Sequence, residues 1–319
     1  MRHEARGLLI AALAALPQPV AAQETTAASS TTSETSEPMA VPVGYSQVWA
    51  DEFDRAGAPD PAKWRYDTSR NQAGWYNNER QYYAANRREN VRVENGHLIL
   101  EARRERLADR PDFGGQDYAS GKLVAPVSWT YGFIEVRAKL PCGRGIWPAI
   151  WMLGTDPGAG WPALGEIDIM EHVGWDPGRV HGTIHTKAYN HVAHTQRGAN
   201  TLVPDACTAF HTYQLDWNAD RILIGRDGRA FMRFDNDHKG DPATWPFDKP
   251  QYLILNIAVG GWGGQKGIDP TAFPARMEVD YVRVWQRPLR PIGNPDLWLL
   301  DNDMQDTTPE EPAKTPTPR

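Results

Sequence analysis

The chain has 319 residues, a formal net charge of −6, 23% charged and 40% hydrophobic residues. That is a globular composition, long enough for one domain of about 250 residues with flanks, or for two small ones. Much of the negative charge lies in the ends, with two Arg against four Glu in 1–40 and three basic against six acidic residues in 289–319. The middle is therefore near neutral and carries no basic stripe, which argues against nucleic acid and against sulfated polymers as partners. Thirteen Trp residues suit either a large core or a flat ligand.

In chain order, Arg2, His3 and Arg6 precede an apolar run at 7–16, and Val20, Ala21 and Ala22 offer small residues for cleavage. This pattern predicts a signal peptide over 1–22 and a secreted or periplasmic protein. The run is too short to span a bilayer, and no later stretch reaches 18 apolar residues, so no membrane association is expected after cleavage. Residues 23–42 are rich in Ser, Thr and Glu and read as a disordered linker. The folded domain is expected over 43–288. The Pro- and Asp-rich stretch 289–319 reads as a mostly disordered tail. A monomer is expected. The two cysteines, Cys142 and Cys207, can pair after export or remain separate thiols.

Within 43–288 the periodicity is that of strands. Ile134, Val136, Ala138 and Leu140 alternate with Glu135, Arg137 and Lys139. Trp147, Ala149, Trp151 and Leu153 share one face of the next run, and His181, Thr183 and His185 share one face of another. Residues 252–259 (YLILNIAV) read as a central strand, and 278–285 alternate again. Clusters of Gly, Pro and Asp separate these runs, and no long 3.6-residue period appears. The expected class is all-β, two stacked antiparallel sheets in a sandwich or jelly roll.

The segment 161–172 (WPALGEIDIMEH) carries the chemistry. Glu166 and Asp168 are two apart and share a face of an extended strand, while Ile167 and Ile169 point to the core. Glu171 has the wrong parity, and one extra residue near Ile169 and Met170, a β-bulge, would restore it. Three carboxylates would then line one strand, where mutual repulsion keeps a proton among them. Retaining glycosidases need such asymmetry: one carboxylate attacks the anomeric carbon and a protonated one serves the leaving oxygen. A solvated acidic edge or a hard-cation site are the competing readings.

The run Gly-Glu-Ile-Asp-Ile-Met-Glu at 165–171 resembles the active-site signature of glycoside hydrolase family 16, and its extra residue resembles the laminarinase-like branch of endo-β-1,3-glucanases. Further motifs resemble the family in its order. They include Trp-Ala-Asp-Glu-Phe at 49–53, Asn-Asn-Glu at 77–79, 131–141, 145–153, 256–261 and 279–284, so that the likeness spans about 45–286. The resemblance implies a jelly roll with an open concave cleft, and retaining hydrolysis of β-1,3 bonds in laminarin-type or mixed-linkage glucans without a cofactor. Agarose, carrageenan or galactan as substrate, or a non-catalytic glucan-binding protein, are the alternatives. By position it implies Glu166 as nucleophile, Glu171 as general acid/base and Asp168 as the assisting carboxylate. His185 is then a neighbour of the carboxylates. Trp147, Trp161, Trp151 and Trp262 are candidate sugar platforms, and Asn78 a candidate partner of sugar hydroxyls. A structural Ca²⁺ held by Glu52, the Gly96 carbonyl and Asp280 is also implied. Neither an EF-hand at 235–246 nor a zinc site among the histidines is complete in sequence.

Overall fold

The computed structural model describes residues 35–156 and 158–288. The expected signal peptide, most of the linker and the tail lie outside them. Among the described residues the chain runs through β1 (Ser46–Asp51), β2 (Arg65–Tyr66), β3 (Gln81–Tyr83), β4 (Val91–Glu94), β5 (His97–Ala102), β6 (Tyr118–Ser120), β7 (Lys122–Val124), β8 (Gly132–Lys139), β9 (Ile146–Gly154), β10 (Glu166–His172), β11 (Arg179–His185), β12 (Arg197–Leu202), β13 (His211–Trp217), β14 (Arg221–Arg226), β15 (Arg229–Asp235), β16 (Gln251–Val259) and β17 (Ala275–Gln286). Two short 3₁₀ turns, Gly261–Gly264 and Pro270–Ala272, are the helical elements among the described residues.

Two large antiparallel sheets result, with β3 and β6 paired parallel in a small third one. One has the order β15-β14-β13-β8-β17-β5-β4, with β1 also on β17; the other has the order β12-β11-β10-β9-β16-β7-β2. The alternation read from sequence builds the core between them. Ile134, Val136 and Ala138 of β8 are fully buried, while Glu135, Arg137 and Lys139 stay half-buried on the outer face. Ile150 and Met152 of β9, Ile167 and Ile169 of β10, and Leu253 and Leu255 of β16 meet them from the second sheet. Each Ile, Val, Leu or Met side chain buried this way contributes on the order of 1.5–3 kcal/mol.

Strand β17 departs from simple alternation. Its pairing with β8 shifts between Val279 and Tyr281. The bulge changes the parity, so Val279 faces the core before it and Val282 and Val284 face the core after it.

The linker also differs from expectation. Its last residues dock. The Glu37 carbonyl accepts from the Ala230 N–H and the Met39 N–H donates to the Gly228 carbonyl, which pairs the segment with β15. Met39 is buried against Phe133, Leu223 and Ala230, and the Glu37 carboxylate binds Arg221 and Arg233. An otherwise open strand edge offers backbone partners, and one apolar side chain in a polar tract suffices to use them. Cys142 and Cys207 are joined in a disulfide, their Cα atoms 5.8 Å apart, tying the β8–β9 turn to the loop before β13.

Candidate active site

Strand β10 carries the acidic residues onto the open face of the second sheet. Gly165 precedes it with φ +80°, and a Cβ there would stand 2.8 Å from Pro246, so the sharp entry into the strand requires glycine. Glu166 lies opposite Leu153 and His185, and Asp168 opposite Trp151 and Thr183. The ladder then slips, and Glu171 lies opposite Ala149 and His181. The bulge sits at Ile169 and Met170, both fully buried. It sends two successive side chains inward and returns Glu171 to the face of Glu166 and Asp168.

The three carboxyl groups line a cleft of about 630 Å³. Asp168 is 3% and Glu171 9% exposed. Two indoles point at the outer pair. Trp161 Nε1 donates to Glu166 Oε2 at 2.8 Å, and Trp147 Nε1 donates to Glu171 Oε1 at 3.1 Å. The Thr183 hydroxyl reaches Glu171 Oε2 at 3.4 Å, and His185 Nε2 stands 3.3 Å from Asp168 Oδ2. Burial, then the charge of Asp168, pushes Glu166 up to about 8. Burial, partly offset by His185, leaves Glu171 at about 7. Burial and the charge of Glu171 hold Asp168 well above the carboxylate range. The site therefore retains protons at neutral pH, as three close carboxyls in a poorly hydrated cleft must.

Trp147, Trp151 and Trp161 line the cleft. His185 lies behind the lining, 6% exposed, against Asp168. Two expected residues sit elsewhere. Asn78 is exposed and outside the lining, whose lip is formed by Asn77 and Glu79 on either side of it. Asn77 and Asn78 both have positive φ, and this tight turn decides which side chain faces inward. Trp262 backs the wall. Its ring meets Trp147 edge-on at 5.9 Å and His181 at 4.8 Å, and its carbonyl accepts from Trp175 Nε1. Gly261 permits this approach, since a Cβ there would come 2.9 Å from the Trp147 ring.

Sequence reasoning missed the far end of the cleft. Lys122 Nζ pairs with Asp67 at 2.8 Å and lies over the rings of Trp75, at 4.5 Å, and Trp151, at 5.4 Å. Trp151 Nε1 donates to Asn256 Oδ1, and Asn256 Nδ2 donates to the Tyr83 hydroxyl. Asn256 had a signal, as the lone polar residue in the apolar run 252–259. Trp75 and Tyr83 had none, because β3 and the loop before it reach the cleft only through tertiary pairing.

The implied Ca²⁺ set lies on the other sheet, and as placed it does not fit a hard cation. Both Glu52 oxygens accept from Arg283, and Asp280 is paired with Arg137. The guanidinium groups already supply the positive charge.

Residues 78–283 match the description of glycosyl hydrolases family 16. The chain is 53% identical over 252 residues to a β-glucanase of Rhodothermus marinus, covering 76% of this chain and 85% of that one. It is 38% identical over 262 residues to glucan endo-1,3-β-glucosidase A1 of Niallia circulans, covering 76% of this chain and 38% of that longer one. In three dimensions it is similar to SCLam, a non-specific endo-β-1,3(4)-glucanase, with 66% identity, TM-score 0.79, and coverage of 81% and 97%. The laminarinase of R. marinus superposes with TM-score 0.72 at 52% identity, covering 76% and 97%.

Proposed function

The chain belongs to glycoside hydrolase family 16 and is a glycoside hydrolase, and from that premise we propose that it is an exported, monomeric, retaining endo-glucanase that cuts β-1,3 bonds in laminarin-type and mixed-linkage glucans. The observation that carries this reading is the bulge in β10, which sets Glu166 and Glu171 on one wall with an indole N–H on each. The substrate class is supported by the β-glucanases and laminarinases to which the chain is similar. Among the described residues no helix is long and apolar enough to cross a membrane.

The geometry suits double displacement. Glu166 attacks the anomeric carbon while Glu171 gives its proton to the departing glycosidic oxygen. A water then delivers its proton to the Glu171 carboxylate, attacks the same carbon and releases Glu166. Glu166 and Asp168 raise each other's proton affinity and titrate as a pair, and the attack requires the state in which the two hold one proton between them and carry a single negative charge. With the proton on Asp168, Glu166 is the free nucleophile, and its ionised form is steadied by the Trp161 N–H. Glu171 at about 7 is protonated through the mildly acidic range, as the first step needs, and readily ionised for the second.

Product analysis on laminarin, lichenan, agarose and carrageenan, with wild type beside Glu171→Gln, tests this. Short β-1,3 oligomers from laminarin, lost in the variant, are expected. Cleavage of agarose or carrageenan with laminarin intact overturns the substrate class. Binding without cleavage of any polymer overturns the enzymatic reading.

A further inference from the structure

Beside its proposed catalytic use, the wall of the cleft contains a second donor set. We propose that Glu166, Asp168 and His185 form a binding site for one first-row transition-metal ion such as Zn²⁺, which occupies the cleft reversibly and blocks it. The binding rests on geometry alone; the block rests on the reading of Glu166 as nucleophile.

One ligand atom from each of the three residues lies within 4.8 Å of the others. Asp168 Oδ2 and His185 Nε2 are 3.3 Å apart, and Glu166 Oε1 and His185 Nε2 are 4.0 Å apart. A tetrahedral Zn²⁺ with bonds of about 2.0–2.1 Å has ligand-to-ligand edges of about 3.3–3.4 Å. The first edge is already of that length. The second closes by roughly 0.6–0.7 Å to meet it, within reach of a small torsional adjustment of the Glu166 side chain.

A separate observation points to a ligand. Asp168 Oδ2, in a residue only 3% exposed, faces His185 Nε2 at 3.3 Å without forming a hydrogen bond to it. Buried polar atoms without partners are rare and ask for a cause. The remaining atoms are disposed to leave the ligand atoms free. Trp161 engages Glu166 Oε2, which leaves Oε1 toward His185, and the rings of Trp161 and His191 hold the His185 imidazole at 6.0 and 5.2 Å.

Binding displaces the protons these carboxyls retain, and the two carboxylates and one imidazole then offset a divalent charge and suit Zn²⁺, Cu²⁺ or Ni²⁺. Ca²⁺ and Mg²⁺ favour six or more oxygens, which these residues do not supply. With three protein ligands the fourth position opens to the cleft. Bound metal would hold the Glu166 electron pair that the attack on the anomeric carbon requires, so the metal-free enzyme is the active form.

The test is calorimetric titration of the full chain with ZnCl₂, with laminarin hydrolysis followed in parallel. Wild type should bind one equivalent. His185→Gln and Asp168→Asn should each weaken binding by at least about tenfold, since first-coordination ligands matter no less than the outer residues whose loss costs 10–100-fold. His211→Gln, at the other carboxylate-flanked histidine, should bind as wild type. Laminarin hydrolysis should fall with the same midpoint and return on addition of EDTA. Laminaritetraose should lower the apparent Zn²⁺ affinity of wild type, a readout that needs no variant. Absence of a stoichiometric site, affinity unchanged in both variants, or no competition by the oligosaccharide overturns the proposal. Zinc binding to a protein that leaves laminarin intact sinks the functional reading and spares the site; cleavage without zinc binding does the reverse.

Discussion

Replacing Trp147 by Phe keeps a flat apolar ring in the cleft wall and deletes one donor, the indole N–H that binds Glu171 Oε1 at 3.1 Å. Hydrogen bonds to a charged partner contribute roughly 1.5–3 kcal/mol. This one is long for its class and only part-buried, so the lower end, about 1.5 kcal/mol, applies. The N–H stabilises the carboxylate more than the acid, and its loss raises the proton affinity of Glu171 by about one pH unit. The sign follows from the proposed role: Glu171 must be protonated in the first step, so activity is lost as pH rises through its pKa of about 7. In Trp147→Phe the alkaline limb of the kcat/KM profile should therefore move up by about one pH unit. The assay is initial-rate hydrolysis of a soluble β-1,3-glucan across pH, with thermal melts to verify folding. An alkaline limb that stays in place, or moves down, refutes the assignment of Glu171 or the importance of the indole contact.

Two further perturbations test the fold around the site. The disulfide closes a loop with a sequence separation of 65, which in the chain-entropy account is worth about 4 kcal/mol. Cys207→Ala should then lower the melting temperature by roughly 8–16 °C, read by calorimetry, and an unchanged melt would deny the bridge a stabilising role. Met39→Ala removes a buried side chain at a sheet edge, where partial collapse is easy, so about 2 kcal/mol is expected as a shift in the urea midpoint. Equal stability would mean that the docked segment contributes nothing to the domain.

The parts of the architecture legible in sequence were those governed by local periodicity. The alternation in β8 gave the correct buried face, and the parity of Glu171 against Asp168 called for a bulge where the ladder slips. In β17 the marker was fainter: Arg276, Glu278 and Asp280 lie on even positions and Arg283 on an odd one, which is the change of parity the slip between Val279 and Tyr281 produces, but Val on both parities masks it. The cleft was legible along β9 and β10, where the side chains concerned lie on consecutive strands. It was not legible where distant elements converge. Lys122 meets Trp75 and Trp151 because β7 pairs with β16, which pairs with β9. Which of Asn77 and Asn78 faces inward depends on turn dihedrals that composition does not encode, and Trp262 backs Trp147 rather than lining the cleft because two glycines fold its loop behind the wall.

Past the segment docked at 37–39, the pairing of β1 with β17 brings Ser46 opposite Gln286, so the body from β1 to β17 is entered and left at neighbouring points on one sheet. A body with adjoining entry and exit is a cassette. It can be spliced into a surface loop of another protein, or have its ends joined and reopened in an exposed turn, with little change to the path of its backbone. The acidic strand β10 belongs to the opposite sheet, so such rewiring leaves the cleft facing away from the splice.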